Sequence, residues 1–160
     1  MNDRESVPAV RLERIMPAPP HRVYRAWLEP GLLRQWMAPG PFELSRAEVD
    51  ERAGGHYRIW HAAGGTEAGG FEAELLELIP DQRITWRWGF AGPQRRNGPA
   101  YDSQLTVTLA GTPAGGTALT LVHTRLDDLA AAMPDVAAQV GAGWADVLAK
   151  LAAMTWPALR

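Results

Sequence analysis

The feature that most constrains the fold is a single change of hydrophobic period near the C-terminus. Between residues 42 and 124, apolar and polar residues alternate in runs separated by turn residues, as they do in β-strands. Beyond Pro134 the apolar residues instead recur at spacings of three and four, as in an amphipathic helix. The sequence therefore predicts an antiparallel meander followed by one long helix of about 20 residues that packs on the sheet.

The N-terminal segment adds one strand and two short helices before the meander. Residues 9–16 alternate as a strand that stops at Pro17. Pro19-Pro20 begins a helix of two turns, which Glu29-Pro30-Gly31 interrupts, and residues 32–37 form a second helix. Six further strands are predicted at residues 42–50, 56–62, 70–79, 83–88, 101–109 and 117–124.

Glycines punctuate these strands and also interrupt the final helix. The Gly54-Gly55, Gly64-Gly65, Gly69-Gly70 and Gly115-Gly116 pairs are interpreted as turns, because none lies between a strand and a helix as a phosphate-binding loop must. Gly141 and Gly143 each cost about 1 kcal/mol relative to alanine inside a helix. Two hypotheses remain open for them: close approach of the helix backbone to another element or a ligand, and a tolerated weak position.

Composition narrows the class of protein. With 46% hydrophobic residues in 160, the chain can form one domain spanning 1–160, with an ordered core at about 9–156. A net charge of −2 provides no basic field, so neither nucleic acid nor a membrane surface is expected as a partner. No apolar run approaches the ~20 residues of a membrane span, and residues 1–6 lack the apolar segment of a signal peptide. We expect a cytoplasmic protein.

Residue types exclude several kinds of site. The chain has no cysteine, so disulfides, thiolate catalysis and cysteine-ligated metals are excluded. The four histidines and the carboxylates show no metal-ligand spacing, so no metal and no other cofactor is expected. Seven tryptophans remain as the most unusual component. Because tryptophan combines a large apolar ring with one N–H donor, we expect some of them to fill the core and others to line a cavity.

The order of these elements resembles a known family. The chain is similar to the bacterial activator of heat-shock-protein-90 ATPase homologue-like group of the START-related SRPBCC superfamily. The resemblance covers nearly the whole chain from residue 9 onward. The order and spacing of the matching pieces are more specific than any one piece alone. The matching pieces are residues 17–27, Gln35-Trp36, Gly54-Gly55, residues 78–84, residues 116–121 and Gly143-Trp144.

This resemblance implies an α+β helix-grip fold. A curved antiparallel sheet of six or seven strands would wrap around the long C-terminal helix, with two short helices after the first strand. It also implies a cavity between sheet and helix, since members of the superfamily bind apolar small molecules and some act as cyclases or aromatases. Such proteins can form homodimers, and the sequence does not determine the oligomeric state.

Strand alternation then selects the candidate ligand-binding residues. Side chains that share a strand face with apolar residues are expected to point inward, and Trp144 lies on the apolar face of the final helix. The other hypothesis is that these side chains only fill the core. The candidates are Trp36, Arg58, Trp60, Trp86, Trp88, Tyr101, Ser103, Leu121, His123 and Trp144.

The functional hypothesis at this stage is binding of an apolar or aromatic small molecule, with no catalytic residue assigned. One alternative is a cyclase or aromatase in which His123 or Arg58 polarises a carbonyl group. A second alternative is a protein-interaction module linked to a chaperone or a transcriptional partner, which a large exposed apolar patch would favour.

Overall fold

The computed structural model of the chain describes residues 9–91, 100–154 and 156. Within them, seven strands and four helices form an α+β structure in which a curled antiparallel sheet grips the C-terminal helix. The predicted helix-grip fold is therefore confirmed. The elements are β1 (Val10–Met16), α1 (Pro20–Ala26), α2 (Pro30–Trp36), β2 (Glu43–Val49), β3 (His56–Ala63), β4 (Thr66–Ile79), β5 (Arg83–Ala91), β6 (Ala100–Gly111), β7 (Thr117–Thr124), α3 (Asp127–Ala132) and α4 (Pro134–Ala153).

The strands lie in the order β1-β7-β6-β5-β4-β3-β2, and all neighbours are antiparallel. Strands β2 to β7 pair with one another in sequence order. Strand β1 instead pairs with β7, so that Val10 lies opposite His123. The first and second strands of the chain therefore form the two edges of the sheet. Helices α1 and α2 carry the chain from one edge to the other and cover one end of the core.

Alternation along the strands separates the two faces of the sheet. In β7 the residues Thr117, Leu119, Leu121 and His123 are buried, whereas the residues between them are partly exposed. The buried face packs on the core together with Trp144 and other apolar residues of α4. This period of two is the pattern expected of a sheet with one face on the core.

Proline positions define the two short helices. Pro20 and Pro30 each lie in the first turn of their helix, where the missing N–H removes no hydrogen bond. Glu29-Pro30-Gly31 does separate the two helices, as predicted from the sequence. In the structure Glu29 is the N-cap of α2, and Pro30 and Gly31 belong to the helix.

The interpretation of Gly69-Gly70 as a turn is wrong. The turn between β3 and β4 is at Gly64-Gly65, both with positive φ, while Gly69 and Gly70 lie inside β4. A Cβ atom on Gly70 would overlap the carbonyl oxygen of Ile59 and lie 2.8 Å from the Cα of Trp60. Gly70 is therefore a strand glycine required by the close approach of β3.

The C-terminal helix α4 has 20 residues, as the period predicted. Its buried residues are Trp144, Val147, Leu148 and Leu151. The six-residue helix α3 was not predicted, because only Leu129 of it is buried and one residue cannot establish a helical period. No helix in the described part of the chain combines the length and apolarity needed to cross a bilayer.

Candidate functional site

A cavity lies between α4 and the strands β3, β4 and β5. Its inner chamber has a volume of about 120 Å³. For comparison, an engineered apolar cavity of about 150 Å³ accommodates benzene. The inner chamber is therefore the size of one aromatic ring. It is lined by Met37, Pro39, His61, Phe71, Trp88, Val140, Gly143, Trp144 and Val147.

An outer chamber of about 240 Å³ adjoins the inner one and leads toward the surface. The two chambers adjoin each other, because they share five wall residues: Pro39, His61, Phe71, Trp88 and Val140. The outer chamber alone is lined by Phe42, Gly69, Gly70, Val136 and Gln139.

Two elements supply the opposite walls of the inner chamber. On α4, Val140, Gly143 and Val147 follow each other at spacings of three and four and so face the same side. On the sheet, Phe71 and Trp88 come from the adjacent strands β4 and β5, and their ring centroids are 5.2 Å apart. The helical period and the strand pairing thus place these α4 residues opposite the rings of Phe71 and Trp88, and Trp144 adds an aromatic ring from the helix side.

His61 is the titratable side chain of the pocket wall. Its Nε2–H donates a hydrogen bond to the carbonyl oxygen of Met37 at 3.0 Å, so Nδ1 is the acceptor nitrogen. Burial lowers the pKa of His61 below its ordinary value, and the nearby charge of Lys150 lowers it further. The imidazole is therefore neutral at pH 7. Among the described residues, Nδ1 has no hydrogen-bond partner, and no Asp, Glu, Lys or Arg lines either chamber.

A buried polar network lies behind the pocket wall. Trp144 Nε1–H donates to His123 Nδ1 at 3.0 Å, and His123 Nε2 lies 2.7 Å from Ser103 Oγ. Indole nitrogen can only donate, so Nδ1 accepts and the proton of the neutral imidazole is on Nε2. His123 then donates to Ser103, whose hydroxyl donates to the Trp88 carbonyl oxygen at 3.2 Å. Both ring nitrogens of His123 are hydrogen-bonded.

This network positions the pocket walls. Trp88 and Trp144 line the cavity, and the network connects one indole N–H to the backbone of the other residue through His123 and Ser103. Ser103 and His123 resemble a nucleophile and a base by residue type alone. Because Nε2 of His123 carries its proton toward Ser103, the imidazole cannot accept the hydroxyl proton in this arrangement. The network is a buried structural unit.

The nine predicted residues whose side chains the structure describes fall into three groups. Trp88 and Trp144 line the pocket. Trp36, Trp86, Leu121, Ser103 and His123 are buried next to or behind this wall without lining either chamber. Trp36 donates its Nε1–H to the carbonyl oxygen of Ala26 at 3.2 Å, and so contributes to the core between α1 and α2.

Arg58 and Trp60 lie on the opposite face of the sheet from the pocket. Tyr57 and Ile59 are the buried residues in the first half of β3, before the register shift after His61, so Arg58 and Trp60 face outward. Arg58 forms an ion pair with Glu48 there, and Trp60 donates its Nε1–H to a carboxylate oxygen of Glu72 at 3.2 Å. The prediction that both side chains face the cavity therefore assigned the wrong face of β3 to the core.

Tyr101 was also a candidate, and its side chain lies outside the described residues.

Several wall residues were not selected from the sequence, and each has a recognisable signal. Val140 and Val147 lay on the predicted apolar face of the helix, and Phe71 shares the parity of buried Leu75 in β4. His61 follows Tyr57 and Ile59 at the same parity. Met37 and Pro39 come from a loop, whose packing on α4 has no local sequence signal.

Residues 37–42 form a strap that connects α2 to β2 across the pocket. Lys150 of α4 donates hydrogen bonds from Nζ to the carbonyl oxygens of Ala38 and Gly40, at 2.6 and 2.7 Å. Asp146, one turn earlier, accepts a hydrogen bond from the Gly40 N–H at 2.6 Å. The strap carries Met37 and Pro39 into the inner chamber. Lys150 and Asp146 therefore hold part of the pocket wall against α4.

Replacement of Lys150 by methionine is expected to loosen the strap. Hydrogen bonds from a charged donor contribute about 1.5–3 kcal/mol each in favourable cases, and partial exposure reduces this value. We expect the Gly40 amide to exchange its hydrogen roughly tenfold faster in Lys150→Met, which corresponds to ~1.4 kcal/mol. Amide hydrogen exchange measured by NMR checks this result.

Arg34→Met is the matched control for this experiment. Arg34 is an exposed cation of α2 with no side-chain hydrogen bond or ion pair among the described residues. Its replacement removes a positive charge without touching the strap. Equal exchange rates for the Gly40 amide in Lys150→Met and Arg34→Met would contradict the role assigned to Lys150.

Comparison with known proteins identifies the family. Residues 17–155 match the family described as activator of Hsp90 ATPase homolog 1-like protein. Protein CV1439 from Chromobacterium violaceum has a similar crystal structure, with 34% sequence identity and a TM-score of 0.76. The alignment covers 94% of this chain and 99% of that one. No curated protein matches the chain at a significant level.

Two other solved structures are similar. The AHSA1 protein SPO3351 from Silicibacter pomeroyi shares the fold at 21% identity and a TM-score of 0.72, with 91% of this chain and 96% of that chain covered. DynU16, a protein of the dynemicin biosynthetic locus, is 28% identical with a TM-score of 0.64, over 91% of this chain and 46% of its own length. The family match over residues 17–155 and the shared fold agree, and the chain belongs to the activator of Hsp90 ATPase homolog 1-like family of SRPBCC proteins.

Proposed function

We propose that this protein binds a neutral apolar or aromatic small molecule in the pocket between the sheet and α4. The single observation that carries the proposal is the cavity of two adjoining chambers with aromatic walls. Protein interiors are otherwise packed with few voids larger than a water molecule. A cavity of this size, open through an outer chamber, is the usual form of a small-ligand site.

The chemistry of the walls supports a neutral ligand. No charged side chain of the described residues lines either chamber, and burial keeps His61 uncharged at pH 7. A carboxylate or phosphate in the inner chamber would lose its hydration without gaining a counter-charge, at a large cost in free energy. An uncharged ring loses no such hydration and gains contact with Phe71, Trp88 and Trp144.

The neutral side chain of His61 lines both chambers and can bind a polar group of the ligand. Its Nε2–H is engaged by the Met37 carbonyl group, which leaves Nδ1 as an acceptor for a ligand donor such as a hydroxyl or amide N–H. Gln139 adds a polar side chain in the outer chamber. The proposed ligand is therefore apolar at its inner end and carries its polar group toward the mouth.

No observation favours the two alternatives as strongly. A cyclase or aromatase using His123 would need that imidazole to face the pocket, whereas both of its ring nitrogens are engaged behind the wall. A protein-interaction module would be favoured by one large apolar patch. The large apolar side chains that are exposed in the described residues lie on separate segments: Ile15 on β1, Phe42 on the strap and Leu76 on β4.

Binding of the neutral fluorescent probe N-phenyl-1-naphthylamine tests the proposal. We expect saturable binding with a micromolar dissociation constant, equivalent to about −8 kcal/mol. The variant Val140→Trp should bind at least roughly tenfold more weakly, because Val140 lines both chambers and a larger ring there fills the pocket. Fluorescence titration measures both constants.

The control for this experiment is Val122→Trp, which adds the same ring to the outward-facing positions of β7. It should bind the probe as the wild-type protein does. Absence of probe binding to the wild-type protein, or equal affinities of the two variants, would contradict the proposed site.

A further inference from the structure

The helix α4 contains a glycine at the pocket wall and a second glycine away from it. Gly143 lines the inner chamber, whereas Gly141 lines neither chamber. A Cβ atom on Gly141 would make ordinary contacts with Val10, at 3.6 and 3.8 Å. Apart from its chain neighbours and the backbone of its own helix, a Cβ atom on Gly143 would meet no described atom within 4 Å. Gly143 therefore leaves open space where almost any other residue would place a side chain.

No packing requirement accounts for glycine at position 143. A glycine is needed where another backbone approaches closely or where φ is positive, and neither condition holds at Gly143. The residue lies inside a helix of 20 residues, where alanine would be more stable. What distinguishes the position is its place between Val140 and Val147 on the face that lines the inner chamber.

The volume of the chamber makes the missing side chain important. The inner chamber is small, about 120 Å³, so even a methyl group at position 143 would take up space that a ligand could occupy. Gly143 does not line the outer chamber. A side chain at this position would therefore shorten the inner chamber and leave the mouth unchanged.

We propose that Gly143 is a specificity-determining residue, whose missing side chain admits an uncharged ring to the inner chamber. This inference rests on the proposed small-molecule binding and names the residue that sets the size of the ligand's inner end. Glycine at position 143 lowers the stability of the helix and leaves space for the ligand. Gly141, which has room for a methyl group against Val10, carries no such role.

The test compares Gly143→Ala, Gly143→Leu and Gly141→Ala with two neutral probes, toluene and N-phenyl-1-naphthylamine. Alanine at either position should raise the melting temperature by ~3 °C, because both substitutions remove a helix-interior glycine. Gly143→Ala should bind both probes roughly tenfold more weakly than the wild-type protein, and Gly143→Leu should not bind toluene measurably. Gly141→Ala should bind both probes as the wild-type protein does.

The outcomes separate this inference from the function on which it rests. If the wild-type protein binds neither probe, the proposed function is wrong and the inference is wrong with it. If the wild-type protein binds both probes and Gly143→Ala binds them within twofold of wild type, only the inference about Gly143 is overturned. The alanine variants keep the test decisive even if Gly143→Leu does not fold.

Discussion

Acidification from pH 7 to pH 4 is expected to lower the free energy of unfolding by about 3 kcal/mol through His123 alone. Burial lowers the pKa of His123 to about 4, whereas an unfolded histidine titrates near its ordinary value of about 6.5. The side chain is fully buried and is held neutral between Trp144 and Ser103. Protonation would place a charge in an apolar core and would remove the acceptor of the Trp144 indole.

The direction of the effect follows from the number of protons that each state binds. Above pH 6.5 both states are neutral at His123, and its full contribution to stability is present. Between pH 6.5 and pH 4 the unfolded state takes up a proton and the folded state does not, so the stability falls as the pH falls. Below the folded pKa of about 4 both states are protonated and this loss ends.

Urea unfolding at several pH values, for the wild-type protein and His123→Asn, measures this contribution. Asparagine does not titrate, and its side-chain oxygen can accept a hydrogen bond in place of Nδ1. The variant should therefore lack about 3 kcal/mol of the wild-type loss between pH 7 and pH 4. The control His56→Asn removes an exposed histidine and should retain the wild-type dependence. Identical curves for wild type and His123→Asn would rule out the buried neutral imidazole.

A second large effect is expected for Gly70→Ala, which should lose about 3 kcal/mol of stability or more. The added methyl group would overlap the carbonyl oxygen of Ile59 and lie 2.9 Å from its carbonyl carbon. These are backbone atoms of the neighbouring strand, so no side-chain rotation relieves the overlap. Strands β3 and β4 would have to separate where Trp60 pairs with Gly70.

The control for Gly70→Ala is Gly111→Ala at the end of β6. A Cβ atom there meets only the ring of Pro20, at 3.7 Å, which is an ordinary contact. Both variants lose one strand glycine, and only one creates a backbone overlap. Denaturant unfolding should show a stability change below about 1 kcal/mol for Gly111→Ala. A similarly small change for Gly70→Ala would show that β3 is not as close to β4 as described.

The fold was predictable because its two periods are local properties of the sequence. The spacing of Val140, Trp144, Val147 and Leu151 requires only that one helix face be apolar, and the structure confirms that face in α4. The alternation in β7 likewise predicted the burial of His123. The family resemblance then supplied the arrangement of sheet and helix, which the periods alone do not determine.

The site was less predictable because its walls depend on contacts between distant segments. Both faces of β3 carry aromatic residues, so alternation alone did not show whether Tyr57 or Trp60 faces the core. Pro39 lies at the pocket on a strap that Lys150, 110 residues away in sequence from Gly40, and Asp146 bind to α4. The outward position of Trp60 and the inward position of Pro39 are consequences of tertiary packing.

The indole N–H signals of the seven tryptophans test the central claim most directly. Two-dimensional ¹H–¹⁵N NMR spectra, recorded during titration with the neutral probe N-phenyl-1-naphthylamine, report on the tryptophans one by one. The signals of Trp88 and Trp144 should shift, because both residues line the pocket, while the signal of Trp60 on the outer face of β3 should not. Trp60→Phe assigns the control signal. Unchanged Trp88 and Trp144 signals at saturating probe, or a shift of Trp60 alone, would contradict small-molecule binding between the sheet and α4.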